Sequence, residues 1–174
     1  WSSDVCSSDL GKNYPILTSR DIPKIKSQSG SPIAVFLACY TGAFDQPNDC
    51  LAEELLRTPR GPVAILGGSR VTMPYAMSIL GTGLMHEFFQ EQRETLGEVV
   101  LQAKRRLADP ADTADRKVLN TVASLLGATS TLLDEERREH LHLFNLIGDP
   151  LLRLQRPETI ELSSVGDVEA GQRI

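Results

Sequence analysis

The chain has 174 residues and carries 18 Lys and Arg against 23 Asp and Glu, a formal charge of −5. That length suffices for one domain with its own core, and an acidic balance without any basic block argues against a nucleic-acid binder. Hydrophobic residues make up 41% and charged residues 24%, an ordinary globular composition, and no apolar run approaches the ~18 residues of a membrane-spanning helix.

Trp1 to Leu10 reads WSSDVCSSDL, with Ser-Ser-Asp occurring twice. It has no apolar core and so is not a signal peptide. It is similar to a translated sequencing-adapter oligonucleotide. Residues 1–10 are therefore expected to be non-native, and Cys6 is discounted. With no initiator Met, the genuine chain is expected to begin upstream.

Thr18-Ser19-Arg20-Asp21-Ile22-Pro23 opens like a short helix or turn, with Thr18 or Ser19 as cap. Ser27–Ser31 is a loop. Pro32–Ala38 reads as a strand whose near-continuous apolar character predicts a central parallel strand covered on both faces. Gln46-Pro47-Asn48 is a turn. Asp49 is expected to cap a helix over Cys50–Arg57, which Thr58-Pro59-Arg60-Gly61 stops. Pro62–Leu66 is a second buried strand, ending in Gly67-Gly68-Ser69.

A helix is predicted over Tyr75–Glu91. Thr95 caps another over Leu96–Leu107, with Leu96, Val99, Val100, Ala103 and Leu107 at helical spacing. Asp109-Pro110-Ala111-Asp112 breaks it. Helical sequence then runs from Asp115 to Leu146, interrupted near Gly127. Its charged run, Asp134–Glu139, is expected to be a solvated face. Gly148-Asp149-Pro150 is a sharp turn, with Asp149 as a structural turn former, and Leu151–Gln155 is the last strand. The order β-α-β-α-α-α-β implies a covered, mostly parallel sheet. Glu158–Ile174 is polar and β-leaning, read as the start of a following β domain or a linker.

Two cysteines remain after Cys6. Cys50 falls on the apolar face of its helix and is expected in the core. Cys39 ends the apolar run Ile33–Ala38 and precedes the turn-rich Tyr40-Thr41-Gly42-Ala43-Phe44-Asp45. A strand that ends in this way delivers a thiol to the rim of an α/β sheet, where ligands bind. There a thiol can act as a nucleophile. The competing reading is a buried structural cysteine.

Four blocks bear on the choice. Ala38-Cys39-Tyr40-Thr41-Gly42-Ala43-Phe44-Asp45, Cys50-Leu51-Ala52-Glu53-Glu54-Leu55-Leu56, Gly61-Pro62-Val63-Ala64-Ile65-Leu66 and Phe144-Asn145-Leu146-Ile147-Gly148-Asp149-Pro150-Leu151-Leu152 resemble, in that order, the C-terminal half of the catalytic domain of the gingipain family of caspase-like cysteine peptidases. The resemblance covers about Thr18 to Pro157. It implies a caspase-like three-layer α/β/α sandwich with a mostly parallel sheet, lacking its N-terminal side, over residues 11–157. It also implies thiol-dependent cleavage of peptide bonds through an acyl-enzyme, with Cys39 as nucleophile. The family's general base, a His on the preceding strand, would fall within Trp1–Leu10, and no His precedes His86. The resemblance places the pocket for the residue before the scissile bond at Leu37 and in the loop Ser69–Tyr75, with Ser69 and Tyr75 as candidates. Tyr75 reads equally well as the first packed residue of its helix.

By the same resemblance the partner is a peptide or protein substrate and the parent acts outside the cell or at its surface. No cofactor is expected, although structural calcium is compatible with a full-length parent. Two other readings stay open. One is a sortase-like transpeptidase of the same fold, in which an amine replaces water as acceptor. The other is a catalytically silent caspase-like scaffold that binds partners. Gly81-Thr82-Gly83 lies within a helical pattern and is read as helix packing rather than a dinucleotide loop. His140 and His142, two apart on a helix, cannot share a metal and are expected to be packed or solvated.

Overall fold

The computed structural model describes residues 6–8, 14–28, 30–110 and 113–155. Strands β1 (Cys6–Ser8) and β2 (Tyr14–Leu17) form an antiparallel pair; β1 lies in the segment set apart above, and Glu158–Ile174 lies outside the described residues. The main sheet contains β3 (Ile33–Phe36), β4 (Ala64–Gly68) and β5 (Phe144–Ile147) in the order β3-β4-β5. β3 runs parallel to β4, pairing Ile33 with Ala64 and Phe36 with Gly67. β5 runs antiparallel to β4, pairing Ile65 with Ile147 and Gly68 with Phe144.

Every residue of β4 is buried, and alternate side chains leave opposite faces of a strand. Ile65 packs with Leu51, Ala52 and Leu55 of α1 (Leu51–Arg57). Ala64 and Leu66 join the larger cluster on the other face, with Leu80 and Leu84 of α2 (Pro74–Met85) and Val99, Ala103 and Leu107 of α3 (Leu96–Ala108). Helices thus cover both faces, giving the expected three layers.

Local sequence placed most elements correctly. Thr95 accepts the Glu98 N–H while Glu98 accepts the Thr95 N–H, closing a capping box at the start of α3. The long helical stretch divides into α4 (Ala114–Leu125) and α5 (Ser130–Leu143), separated at Gly127, whose φ of 90° suits glycine. Gly83 lets α2 approach α3: a Cβ there would lie 3.3 Å from Ala103 Cα. Asp149 accepts the Leu151 N–H at 2.8 Å, as a turn former does.

Four expectations are corrected. Among the described residues β4, not β3, is central. β3 is an edge of the sheet among the described residues, with Val35 40% exposed, because a continuous apolar run does not encode how many neighbours a strand has. The last strand is Phe144–Ile147, which had read as the end of a helix, whereas Leu151–Gln155 contributes a single bridge between Arg153 and Thr95. Lys104 enforces that helix end: its ammonium donates to the carbonyls of Leu141 and Phe144 at 2.8 and 2.6 Å. Burial pushes its pKa down. Cys50 rather than Asp49 is the N-cap of α1; its N–H donates to Glu53 Oε2 at 2.9 Å, and Asp49 pairs instead with Arg57. The predicted helix over Tyr75–Glu91 ends as α2 at Met85 and continues as one π-helical turn, His86–Gln90. There Glu87 is buried between Arg93 and Arg106. Among the described residues no helix is long and apolar enough to cross a membrane.

Candidate functional site

Cys39 lies three residues beyond the end of β3, where the chain turns sharply. Tyr40 adopts a left-handed backbone, φ 56°, uncommon for a non-glycine residue. The turn is sewn to the tip of the parallel neighbour β4. Tyr40 N–H donates to the Arg70 carbonyl at 3.1 Å and Gly42 N–H to the Gly68 carbonyl at 2.9 Å. The Thr41 hydroxyl donates to the Ala38 carbonyl at 3.1 Å and accepts the Gly68 N–H at 3.2 Å. Glycine is required for this contact, since a Cβ on Gly68 would meet the Ala38 oxygen at 2.7 Å. Arg70 closes the outer side with two bonds to Asp45, at 3.0 and 2.5 Å. The Arg70 guanidinium holds the Asp45 carboxyl below the usual carboxylate range.

The thiol is half-buried and faces Thr72, in the loop after β4. Thr72 N–H donates to Cys39 Sγ at 3.2 Å, and its hydroxyl oxygen lies 3.4 Å from the same sulfur. That hydroxyl also donates to the Met77 thioether at 3.2 Å. Thr72 is itself buried.

Helix α5 anchors the Ser69–Tyr75 loop from behind. Ser69 donates its N–H and hydroxyl to the Leu143 carbonyl at 2.8 and 3.0 Å. Met73 N–H donates to His140 Nε2 at 2.7 Å, and Ala76 N–H to Glu136 Oε1 at 2.9 Å. His140 is fully buried, with Nδ1 2.7 Å from the Glu136 carbonyl. Since Nε2 accepts, Nδ1 carries the hydrogen and the ring is neutral. The run Asp134–Glu139 is therefore more than a solvated face: Glu136 caps α2, and Arg137, 11% exposed, donates to the Asp109 carbonyl.

The candidate residues are only partly gathered. Leu37 is 39% exposed and lies against α2, where a Cβ on Gly81 would touch its Cδ1. Ser69 is on the loop facing Cys39, but its hydroxyl is taken by Leu143. Tyr75 packs against the core and donates its hydroxyl to Asn120 Oδ1 at 2.6 Å; burial pushes the phenol up. Cys50 is in the core, as expected. Thr72 and the exposed apolar Val71 and Met73 escaped notice in the sequence. A strand-tip loop of Arg-Val-Thr-Met carries no motif, and Thr72 acquires meaning only beside a thiol 33 positions away.

The chain's three histidines are His86, His140 and His142. Both nitrogens of His140 are engaged away from Cys39, His86 Nδ1 lies 3.0 Å from an Arg106 nitrogen, and His142 is exposed on α5. None is hydrogen-bonded to the thiol. Among the described residues no group of three His, Cys, Asp or Glu is placed to hold a metal ion. A groove of about 670 Å³ near Ile33, Val35, Met85 and Phe89 does not include Cys39.

The fold has a solved counterpart. The crystal structure of the Arg-specific cysteine proteinase gingipain R superposes with a TM-score of 0.58 at 17% identity, over 81% of this chain. The chain spans 30% of that protein's chain. A comparison with curated proteins found no match. The profile of peptidase family C25 matches residues 2–155, a span that takes in the Cys39 turn, the β4 tip and the closing Gly148-Asp149-Pro150. The chain belongs to peptidase family C25.

Proposed function

We propose that this chain is the nucleophile-bearing part of a cysteine endopeptidase of gingipain type, with Cys39 as the attacking group. The observation that carries the reading is the half-buried thiol at the rim of β3, held against the tip of a parallel strand in a family of peptidases. A free thiol, with a pKa of about 8.5, is only a few per cent thiolate at neutral pH. A general base must take its proton and later return one to the leaving amine. The three histidines of this sequence are committed or remote, so the base comes from a group outside these 174 residues. The thiolate attacks the scissile carbonyl, the amine leaves, and water resolves the acyl-enzyme. The Tyr40 and Gly42 N–H groups are already bonded, and in this reading the Cys39 N–H serves as an oxyanion donor. Loss of one such donor typically costs about 10²–10³ in rate.

Leu37 and Ser69 line the approach to the thiol in this reading. Tyr75 belongs to the wall behind it. Residues 11–157 form part of the peptidase domain, the substrate is a peptide or protein, and the parent works outside the cell or at its surface. Without its base the isolated chain turns over weakly or not at all.

Labelling with a peptidyl acyloxymethyl ketone, followed by peptide mapping, tests the proposal. Preferential modification of Cys39 over Cys6 and Cys50 is expected. Absence of labelling at Cys39, or modification no faster than at Cys6, would favour the silent scaffold. Transfer of the acyl group to an added amine in preference to water would favour the transpeptidase.

A further inference from the structure

We propose that Thr72 is a positioning residue that holds the Cys39 sulfur as a thiolate, by switching its hydroxyl hydrogen from Met77 to Cys39. The inference rests on the reading of Cys39 as nucleophile and adds to it a residue and a proton-dependent rearrangement. Three contacts meet at one sulfur: the Thr72 N–H at 3.2 Å, the Thr72 hydroxyl oxygen at 3.4 Å and the Thr72 carbonyl at 3.6 Å. The carbonyl can only accept, so it serves the protonated thiol. The N–H can only donate, so it serves sulfur in either state and is strongest toward an anion, because hydrogen bonds to ionised groups are about twice as strong as neutral ones.

The hydroxyl can do both. With the thiol protonated, S–H is a weak donor that the hydroxyl oxygen or the carbonyl accepts, and the hydroxyl hydrogen points to Met77 Sδ at 3.2 Å. A thioether is a poor acceptor. When a base removes the thiol proton, rotation about the Thr72 Cβ–Oγ bond redirects the hydroxyl hydrogen to the anion. Met77 loses a weak bond and the thiolate gains a charge-assisted one. Burial favours the exchange, since Thr72 is 5% exposed and water is a minor competitor there. The loop is fixed on both sides of Thr72, at Tyr40–Arg70 and Met73–His140, so the donor stays aimed.

Iodoacetamide alkylation of Cys39, read by peptide mapping between pH 5 and 10, tests this. The thiolate displaces iodide, forming the carbon–sulfur bond as the carbon–iodine bond breaks, and the thiol proton leaves to buffer. Thr72→Val, which keeps the shape and the backbone N–H, should move the alkylation profile to higher pH and slow the reaction about tenfold at neutral pH. Thr72→Ser should retain the wild-type profile. Met77→Leu, which removes the competing acceptor, should leave the profile in place or move it to lower pH. An unmoved Thr72→Val profile, or a Met77→Leu profile displaced to higher pH, overturns the proposal. Preferential labelling of Cys39 by the peptidyl acyloxymethyl ketone is scored separately. A Thr72-sensitive profile without such labelling would retain the switch and sink the nucleophile reading. Preferential labelling with a Thr72-insensitive profile would do the reverse.

Discussion

His140 on α5 accepts the backbone N–H of Met73 at 2.7 Å, tying the loop that carries Thr72 to a helix from the far end of the chain. The ring is fully buried and its other nitrogen reaches the Glu136 carbonyl. Both imidazole nitrogens are thus used to hold backbone, and only the neutral form can do so. The Cys39 environment depends on α5 as much as on its own strand.

His140→Ala should cost about 2–4 kcal/mol of stability, because it leaves a cavity and an unpaired Met73 N–H. Urea unfolding measures the loss, and the Cys39 alkylation profile should move to higher pH as the loop loosens and Thr72 is no longer held against the sulfur. A change below about 1 kcal/mol would mean that the loop has another anchor.

Glu87 sets an acid limit on folding. Burial pushes its carboxyl up, but hydrogen bonds from Arg93 and Arg106 outweigh this and hold the pKa below the usual range. A depressed folded pKa gives stability that is fully present above the unfolded value of about 4.3 and is lost as pH falls through the folded value. Both arginines are partly exposed, so Glu87→Gln should cost only about 2 kcal/mol at pH 7. The gap from wild type should close as pH falls below about 4. Thermal unfolding across pH 3–7 checks it; a gap that stays constant would show that the ion pairs contribute nothing.

Gly68→Ala tests the contact between strand tips. The added Cβ would meet the Ala38 carbonyl oxygen at 2.7 Å and Thr72 Cγ2 at 2.9 Å, and backbone cannot yield as a flexible side chain can. A loss of about 2 kcal/mol or more is expected, together with altered alkylation at Cys39. Wild-type stability with wild-type alkylation would show that the tips do not pack this closely in solution.

Tyr75→Phe separates two roles for this residue. Its hydroxyl donates to Asn120, so the substitution should cost about 1 kcal/mol and leave the rate of Cys39 labelling by a peptidyl ketone unchanged. Slower labelling at unchanged stability would return Tyr75 to the substrate pocket.

Much of this was legible locally. The Thr95 capping box, the break at Gly127, the turn at Asp149 and the two apolar strands are short-range consequences of side-chain chemistry and hydrophobic period. Cys39 could be singled out because a thiol between an apolar strand and a Gly-containing turn is a local pattern. The strand at Phe144–Ile147 was missed for the converse reason. Its residues continue the apolar spacing of α5, and the end of the helix is held from outside by Lys104, some forty positions earlier, donating to the carbonyls of Leu141 and Phe144.

The sequence by itself determined the covered α/β architecture, the helix boundaries set by caps and glycines, and the position of the thiol at a strand's end. Only the tertiary structure decided which strand is central among the described residues, that Thr72 meets the Cys39 sulfur while its hydroxyl donates to Met77, and that His140 and Glu136 are spent on holding a loop. Those outcomes depend on contacts between segments far apart in the chain, such as Cys39 with Thr72, Met73 with His140 and Ile65 with Ile147. Such contacts are selected by the packing of whole faces, and leave no periodic trace in the segments that make them.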